Sequence, residues 1–228
     1  QFYIGPALLP GLSSAGMIVL AIGSVVLLKE KLKKEEYIAF ALLIAGIVLI
    51  SLSNLSITGT LALFDDKNFL IRIGIWTLVL VAAWLVFYYV GRKTNKAALM
   101  ALGAGFPFAL GNIWMNPMIL TVTAVLTGDF AIKNIIIFFV SVAILAPVCL
   151  TGYVHFQKTL GEGNASIVIP LQQTPQQIVP ALIYFFLFMY PVERVSSYFY
   201  MAGGAALIVA GGFILGKRQS EFESKFKN

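Results

Sequence analysis

Apolar runs of about 20 residues, the length at which an α-helix crosses the hydrocarbon core of a bilayer, recur along this chain from end to end. They constrain the fold more than any other feature. In hydrocarbon every backbone N–H and C=O must be satisfied internally, which leaves helices and closed barrels. Runs this long without alternation belong to helices. Seven spans are expected, at roughly Pro6–Leu28, Tyr37–Leu55, Leu70–Val90, Ala97–Leu120, Asn134–Phe156, Ala165–Tyr190 and Ser197–Gly216. Only 11% of the residues are charged and 59% are hydrophobic, whereas about a quarter are charged in a soluble domain. The fold class is therefore an all-α integral membrane protein, a helical bundle with short connections. The fourth span carries Pro107 and Pro117 and runs on toward Leu126, so a bend or tilt is expected there.

The net charge of +6 would suggest nucleic acid in a soluble protein. Here it encodes orientation, because Lys and Arg collect in cytoplasmic loops. The connections alternate sides. "KEKLKKEE", "GRKTNK", "HFQKTLGEGN" and the C-terminal tail hold twelve of the sixteen basic residues; Lys67, Arg72, Lys133 and Arg194 lie on the other side. The expectation is a cell-membrane (inner or plasma membrane) protein with its C-terminus in the cytoplasm. The tail "GKRQSEFESKFKN" is expected to be a helix end that frays into solvent. No basic n-region precedes a short apolar stretch, so no signal peptide is expected. The chain begins with Gln rather than Met, and further sequence is expected ahead of it. Cys149, the lone cysteine, excludes an intrachain disulfide.

The chain also repeats itself. "VVLLKEKLKKEEYIAFALLIAGIVLI" (Val25–Ile50) and "LFMYPVERVSSYFYMAGGAALIVAGGFIL" (Leu187–Leu215) share an order: the end of an apolar span, a Glu and a base, then a span ending in Ala-Gly. Glu30-Lys31 answers Glu193-Arg194, and Ala45-Gly46 answers Ala210-Gly211. Five spans separate the two glutamates. An odd number turns the second copy upside down, which is the logic of inverted repeats in transporters.

In these elements the chain resembles the EamA-type drug/metabolite transporter superfamily. The likeness rests on Leu-Leu-Lys-Glu-Lys-Leu followed by "LLIAGIVLI", on "VERV" followed by "ALIVAGGFIL", and on "QKTLGEGNASIVIPLQQ" leading into the sixth span. The resemblance implies two inverted five-helix halves, ten helices in all. Spans one and two would be the family's fourth and fifth helices, closing the first half (residues 1–60). Spans three to seven would be the whole second half (61–216), before a cytoplasmic tail (217–228). The family's first three helices, about 80–100 residues, have no counterpart in this chain.

No Asp, Glu, Lys or Arg falls near the middle of a predicted span, although an intramembrane charge is the usual pointer to function. Neutral polar and aromatic groups are the candidates. The foremost is "PLQQTPQQIVP", Pro170–Pro180. Counted from Ala165, Gln172, Gln173, Gln176 and Gln177 lie about 10–18 Å into the bilayer, near its midplane. They form one polar face with Thr174 off to a side. Pro175 and Pro180 free backbone carbonyls at the same depth. Such a face either lines a path for uncharged or zwitterionic solutes or knits neighbouring helices together. The same alternatives hold for Asn112 and Asn116 on the fourth span. Trp76 and Trp84, with Tyr88, share a face of the third, which stacks on a solute or packs in the core. Ser13 and Ser14 on the first line the path or allow close packing. His155, the only histidine, lies at the end of the fifth span, where it is either a proton carrier or an interfacial side chain satisfied by backbone.

No nucleophile, metal-ligand or nucleotide-loop motif is present, so no enzyme, no cofactor and no metal site is expected. The function expected is a secondary transporter or facilitator of small organic metabolites or amphipathic compounds, working by alternating access at a neutral polar site. Alternatives are a seven-helix receptor or a Mg²⁺-type transporter of a related family. The first lacks a Schiff-base Lys in the last span and leaves the repeat without a role; the second lacks carboxylates at depth. The partners expected are a small-molecule solute and the lipid bilayer. A homodimer stays open, and no nucleic acid is expected.

Overall fold

The computed structural model describes residues 33–53, 61–189 and 195–226. Among them the chain is helical throughout, with no strand. The order is α1 (Lys34–Leu52), a 3-10 turn (Leu61–Asp65), α2 (Lys67–Lys93), α3 (Ala97–Leu126), α4 (Ile132–Glu162), α5 (Ala165–Ile183), a π turn (Tyr184–Phe188) and α6 (Val195–Phe226). Six of the predicted spans fall on these helices. The first, Pro6–Leu28, lies outside the described residues, as do Glu30 and Glu193. Five helices, α1 to α4 and α6, are long and apolar enough to cross a membrane, and the protein is a helical membrane protein. α5 is not among the five, because four glutamines in its centre dilute its apolar character.

Local chemistry sets the helix starts and the turns between them. Asp66 caps α2, its Oδ1 accepting from the Asn68 N–H at 2.9 Å. Asp129 prepares α4 by accepting from the Ala131 N–H at 3.1 Å and from Asn134 Nδ2 at 3.0 Å. The α2–α3 turn closes through Asn95 at φ 51, a left-handed conformation that Asn tolerates better than most side chains.

α3 is the central helix. Two thirds (67%) of its apolar stretch is buried in the protein, against 22–28% in the other four spans. Packing rather than solvent exclusion must hold such a bundle together, because lipid tails are as apolar as leucine. Small residues accordingly mark the crossings. A Cβ on Gly103 would lie 2.5 Å from the Tyr88 nitrogen, and one on Gly152 would lie 2.6 Å from Pro107 Cβ. Around α3, one cluster joins Phe69, Ile73 and Leu80 of α2 to Leu110 and Trp114, to Val148 of α4, and to Val179 and Ile183 of α5. A second joins Ala39, Leu43 and Ile47 of α1 to Ala98 and Ala101, to Ile167 and Leu171 of α5, and to Ile208 and Leu215 of α6.

The α1–α6 crossing has an internal regularity. A Cβ on Gly46 would lie 2.7 Å from the Gly204 carbonyl oxygen and 2.7 Å from Ile208 Cγ1. One on Gly211 would lie 2.9 Å from the Ala39 carbonyl oxygen and 2.9 Å from Leu43 Cγ. Rising numbers on α1 meet falling numbers on α6, so the pair is antiparallel. Gly211, Ile208 and Gly204 each stand 165 positions after Gly46, Leu43 and Ala39. Exchanging the helices in that register turns each of these contacts into the other, as in any antiparallel pair, and here it also lays Ala45-Gly46 on Ala210-Gly211.

One end of the bundle gathers the start of α1, the α2–α3 and α4–α5 turns and the end of α6, with Lys34, Arg92, Lys93, Lys96, Lys158, Lys217 and Arg218. The other end carries Asp65 paired with Lys133 at 2.5 Å and Asp66 paired with Arg72 at 3.5 Å.

The helices run on through their prolines. α3 stays one helix through Pro107 and Pro117. α5 stays helical through Pro170, Pro175 and Pro180, and the irregularity comes after it, in the π turn that ends at Met189 with φ 50. The tail does not fray at Gly216 but continues α6 to Phe226. That continuation has a cause: Arg218 Nε lies 3.4 Å from Glu36 Oε1, and the adjacent Gln219 is fully buried, its Oε1 accepting from the Asn164 N–H at 3.3 Å.

Candidate functional site

The glutamine helix has three distinct sides. Successive residues step about 100° around an α-helix. Leu171 and Thr174 face α6, where a Cβ on Gly212 would meet Thr174 Oγ1 at 3.3 Å and Leu171 Cδ2 at 3.9 Å. Thr174 spends its hydroxyl within its own helix, donating to the Pro170 carbonyl at 3.0 Å. Gln172 and Pro175 face α3, where a Cβ on Gly105 would run into the Gln172 carbonyl oxygen and lie 3.0 Å from the Pro175 ring. Gln173, Gln176 and Gln177 occupy the remaining arc, about 100° wide and turned away from both contacts.

That arc is polar yet withdrawn from the surface. Gln172 and Gln177 are each 5% exposed, and Gln173 and Gln176 are half-buried. The Oε1 atom of Gln173 is buried with no hydrogen-bond partner among the described residues. A buried amide oxygen left unpaired costs about 1–3 kcal/mol, so this atom is a standing acceptor for any donor that enters.

α3 and α5 run parallel: Ala98 and Ala101 share a cluster with Ile167 and Val168, Gly105 meets Gln172, and Ala109 and Ile113 share a cluster with Val179 and Ile183. Asn112 and Asn116 stand two and three turns beyond Gly105 on the same side of α3. Asn112 is the one exposed residue from Ala97 to Thr121. Asn116 is half-buried.

The tryptophans have other company. Trp84 is buried and donates from Nε1 to His155 Nδ1 at 3.1 Å. Tyr88 stacks on the same imidazole with centroids 3.7 Å apart and planes 3° from parallel. With Nδ1 accepting, a neutral His155 carries its proton on Nε2. Trp84 and Tyr88 thus form, with Met100, a cluster apart from the glutamine arc. Trp76 is half-buried beside Phe186, centroids 6.1 Å apart. Ser13 and Ser14 lie outside the described residues. Reading the sequence missed Gly105 as the point where α3 touches the glutamine helix, and His155 as the acceptor for Trp84. A buried indole N–H needs a partner, and the lone histidine was one on offer.

Fold and site together define a helical membrane protein with an amide-bearing helix in its interior. No protein-family model matches the chain, and no curated protein or solved structure matches it either.

Proposed function

We propose that the chain forms part of a secondary transporter or facilitator of the drug/metabolite type, ten helices in two inverted halves. It moves small uncharged or zwitterionic organic solutes past the α5 glutamines by alternating access, with its basic end in the cytoplasm. The observation that carries this reading is that Ala-Gly stands at both exchange-equivalent positions of the antiparallel α1–α6 crossing, Gly46 against Gly204 and Ile208 and Gly211 against Ala39 and Leu43. Any antiparallel pair exchanges its contacts in this way; the repeated Ala-Gly at the close approach is what two inverted halves meeting at an axis in the membrane plane would add. The unpaired Gln173 oxygen and the open Asn112 support a solute path along the α3–α5 seam. Amides donate and accept without carrying charge, which suits neutral organic solutes better than metal ions.

The test begins with a thermal-shift screen of the purified full-length protein against amino acids, sugars and amphipathic cations. A stabilising solute is then followed as a tracer into proteoliposomes. Gln173→Ala and Gln176→Ala are each expected to lower flux about fivefold, the value of one net hydrogen bond of about 1 kcal/mol, with an unchanged yield of folded protein. Undiminished flux in both variants overturns the site.

A further inference from the structure

At the basic end of the bundle α1 and α6 enclose a cleft of about 320 Å³ that the solute path does not use. Its lining changes character with depth. Ile38, Phe213 and Ile214 form the end nearer the bilayer core; Glu35, Lys217, Arg218 and Glu221 form the end about one turn further out. Ile38 is 55% and Phe213 74% exposed, so the apolar end opens sideways, where lipid chains lie. The polar end carries both signs of charge. Arg218 is fixed there by Glu36 at 3.4 Å and by Glu221 at 2.7 Å, and Glu36 is itself held by the Lys33 N–H at 2.8 Å. The charged rim is therefore a rigid arrangement on two packed helices.

We propose that this cleft is a phospholipid site selective for a zwitterionic headgroup with a primary ammonium, that of phosphatidylethanolamine. Lys217 takes the phosphate by charge-assisted hydrogen bonds, beside Arg218, which Glu36 and Glu221 hold in place. Glu35 takes the ammonium, which has three N–H donors to offer. The acyl chains lie over Ile38 and Phe213. The volume is at the small end of ligand-sized clefts, enough for a headgroup and the first part of the chains. A choline headgroup has no N–H to give the carboxylates. A glycerol headgroup brings a net negative charge to a rim that already holds two exposed carboxylates.

The full-length protein, equilibrated with equimolar phosphatidylethanolamine, phosphatidylcholine and phosphatidylglycerol of one acyl composition, is stripped with mild detergent. The lipids it retains are counted by native mass spectrometry. Phosphatidylethanolamine is expected to exceed each of the others about tenfold, the factor that one charge-assisted hydrogen bond of ordinary strength supplies. Lys217→Gln and Glu35→Gln, both exposed positions, should bring the three toward parity. Equal retention of all three by the unaltered protein would reduce the cleft to ordinary boundary lipid, and a preference for phosphatidylglycerol would make it a basic patch. A phosphatidylethanolamine preference that survives both substitutions also overturns the assignment. None of these results depends on whether the protein transports a solute.

Discussion

At Gly105 a side chain has nowhere to go, because its Cβ would occupy the place of the Gln172 carbonyl oxygen. This glycine sets the distance between the central helix and the glutamine helix. Gly105→Val is expected to destabilise the protein by about 1–3 kcal/mol, the usual range for overpacking, read as a lower midpoint of thermal unfolding in detergent. Gly74→Ala, where nothing lies within 4 Å, serves as the control and should leave the midpoint where it was. A second prediction concerns Glu36, 6% exposed in its side chain against Arg218 at 13%. Arg218→Leu strands a buried carboxylate and should cost more than the double change Glu36→Gln with Arg218→Leu, since breaking one side of a buried pair is worse than removing both. A double-mutant cycle on the unfolding midpoint decides it. Residues of this kind were hard to read in the sequence. Glu36 stands among charged neighbours in "KEKLKKEE", and nothing in that run separates the buried Glu36 from the exposed Glu35. The glutamines were legible because four amides in an apolar span have no ordinary reason to be there.

Between elements, the α1–α6 crossing makes a prediction that single residues do not. If the two helices are equivalent under exchange, Gly46→Leu and Gly211→Leu should be similarly harmful, since each faces a carbonyl oxygen and a branched side chain at 2.7–2.9 Å. Gly203→Ala should be tolerated, its nearest neighbour being Leu49 Cδ1 at 3.6 Å. Comparable losses of folded yield from the two leucine variants, beside an intact alanine variant, are the expected outcome. A large effect from only one leucine variant would speak against the equivalence. The helices themselves were readable from the apolar runs, and the Ala45-Gly46 and Ala210-Gly211 elements were readable as a pair. The behaviour of α5 was not. Its prolines free backbone carbonyls, and how the helix would accommodate them was not visible; neighbouring helices seat it through Gly105 and Gly212, and a helix held from two sides keeps its course past a missing N–H. The strain appears later, in the π turn before Met189.

For the whole molecule, the basic residues gather at one end because the connections alternate, and the sequence pattern was enough to see that. How the spans lean together was not visible in it. Four of the five spans bury only about a quarter of their apolar stretch while α3 buries two thirds; the sequence set the fourth span apart by its two prolines and its length, but not by its place at the centre. The proposed function joins these levels: during transport the α5 arc of Gln173, Gln176 and Gln177 would open to a solute path rather than seal against a neighbouring helix. Cysteine substitution tests it most directly. In a background with Cys149→Ala, single cysteines are placed at positions 173 and 176, and at Leu78 and Phe139, which are 70% and 64% exposed on spanning helices. Each is treated in membranes with a charged thiol reagent that does not cross the bilayer. Labelling is expected at 173 and 176, slowed by the solute that stabilises the protein, and none at 78 and 139. If 173 and 176 prove as inert as the lipid-facing positions from both sides of the membrane, the glutamines hold helices together and line no path.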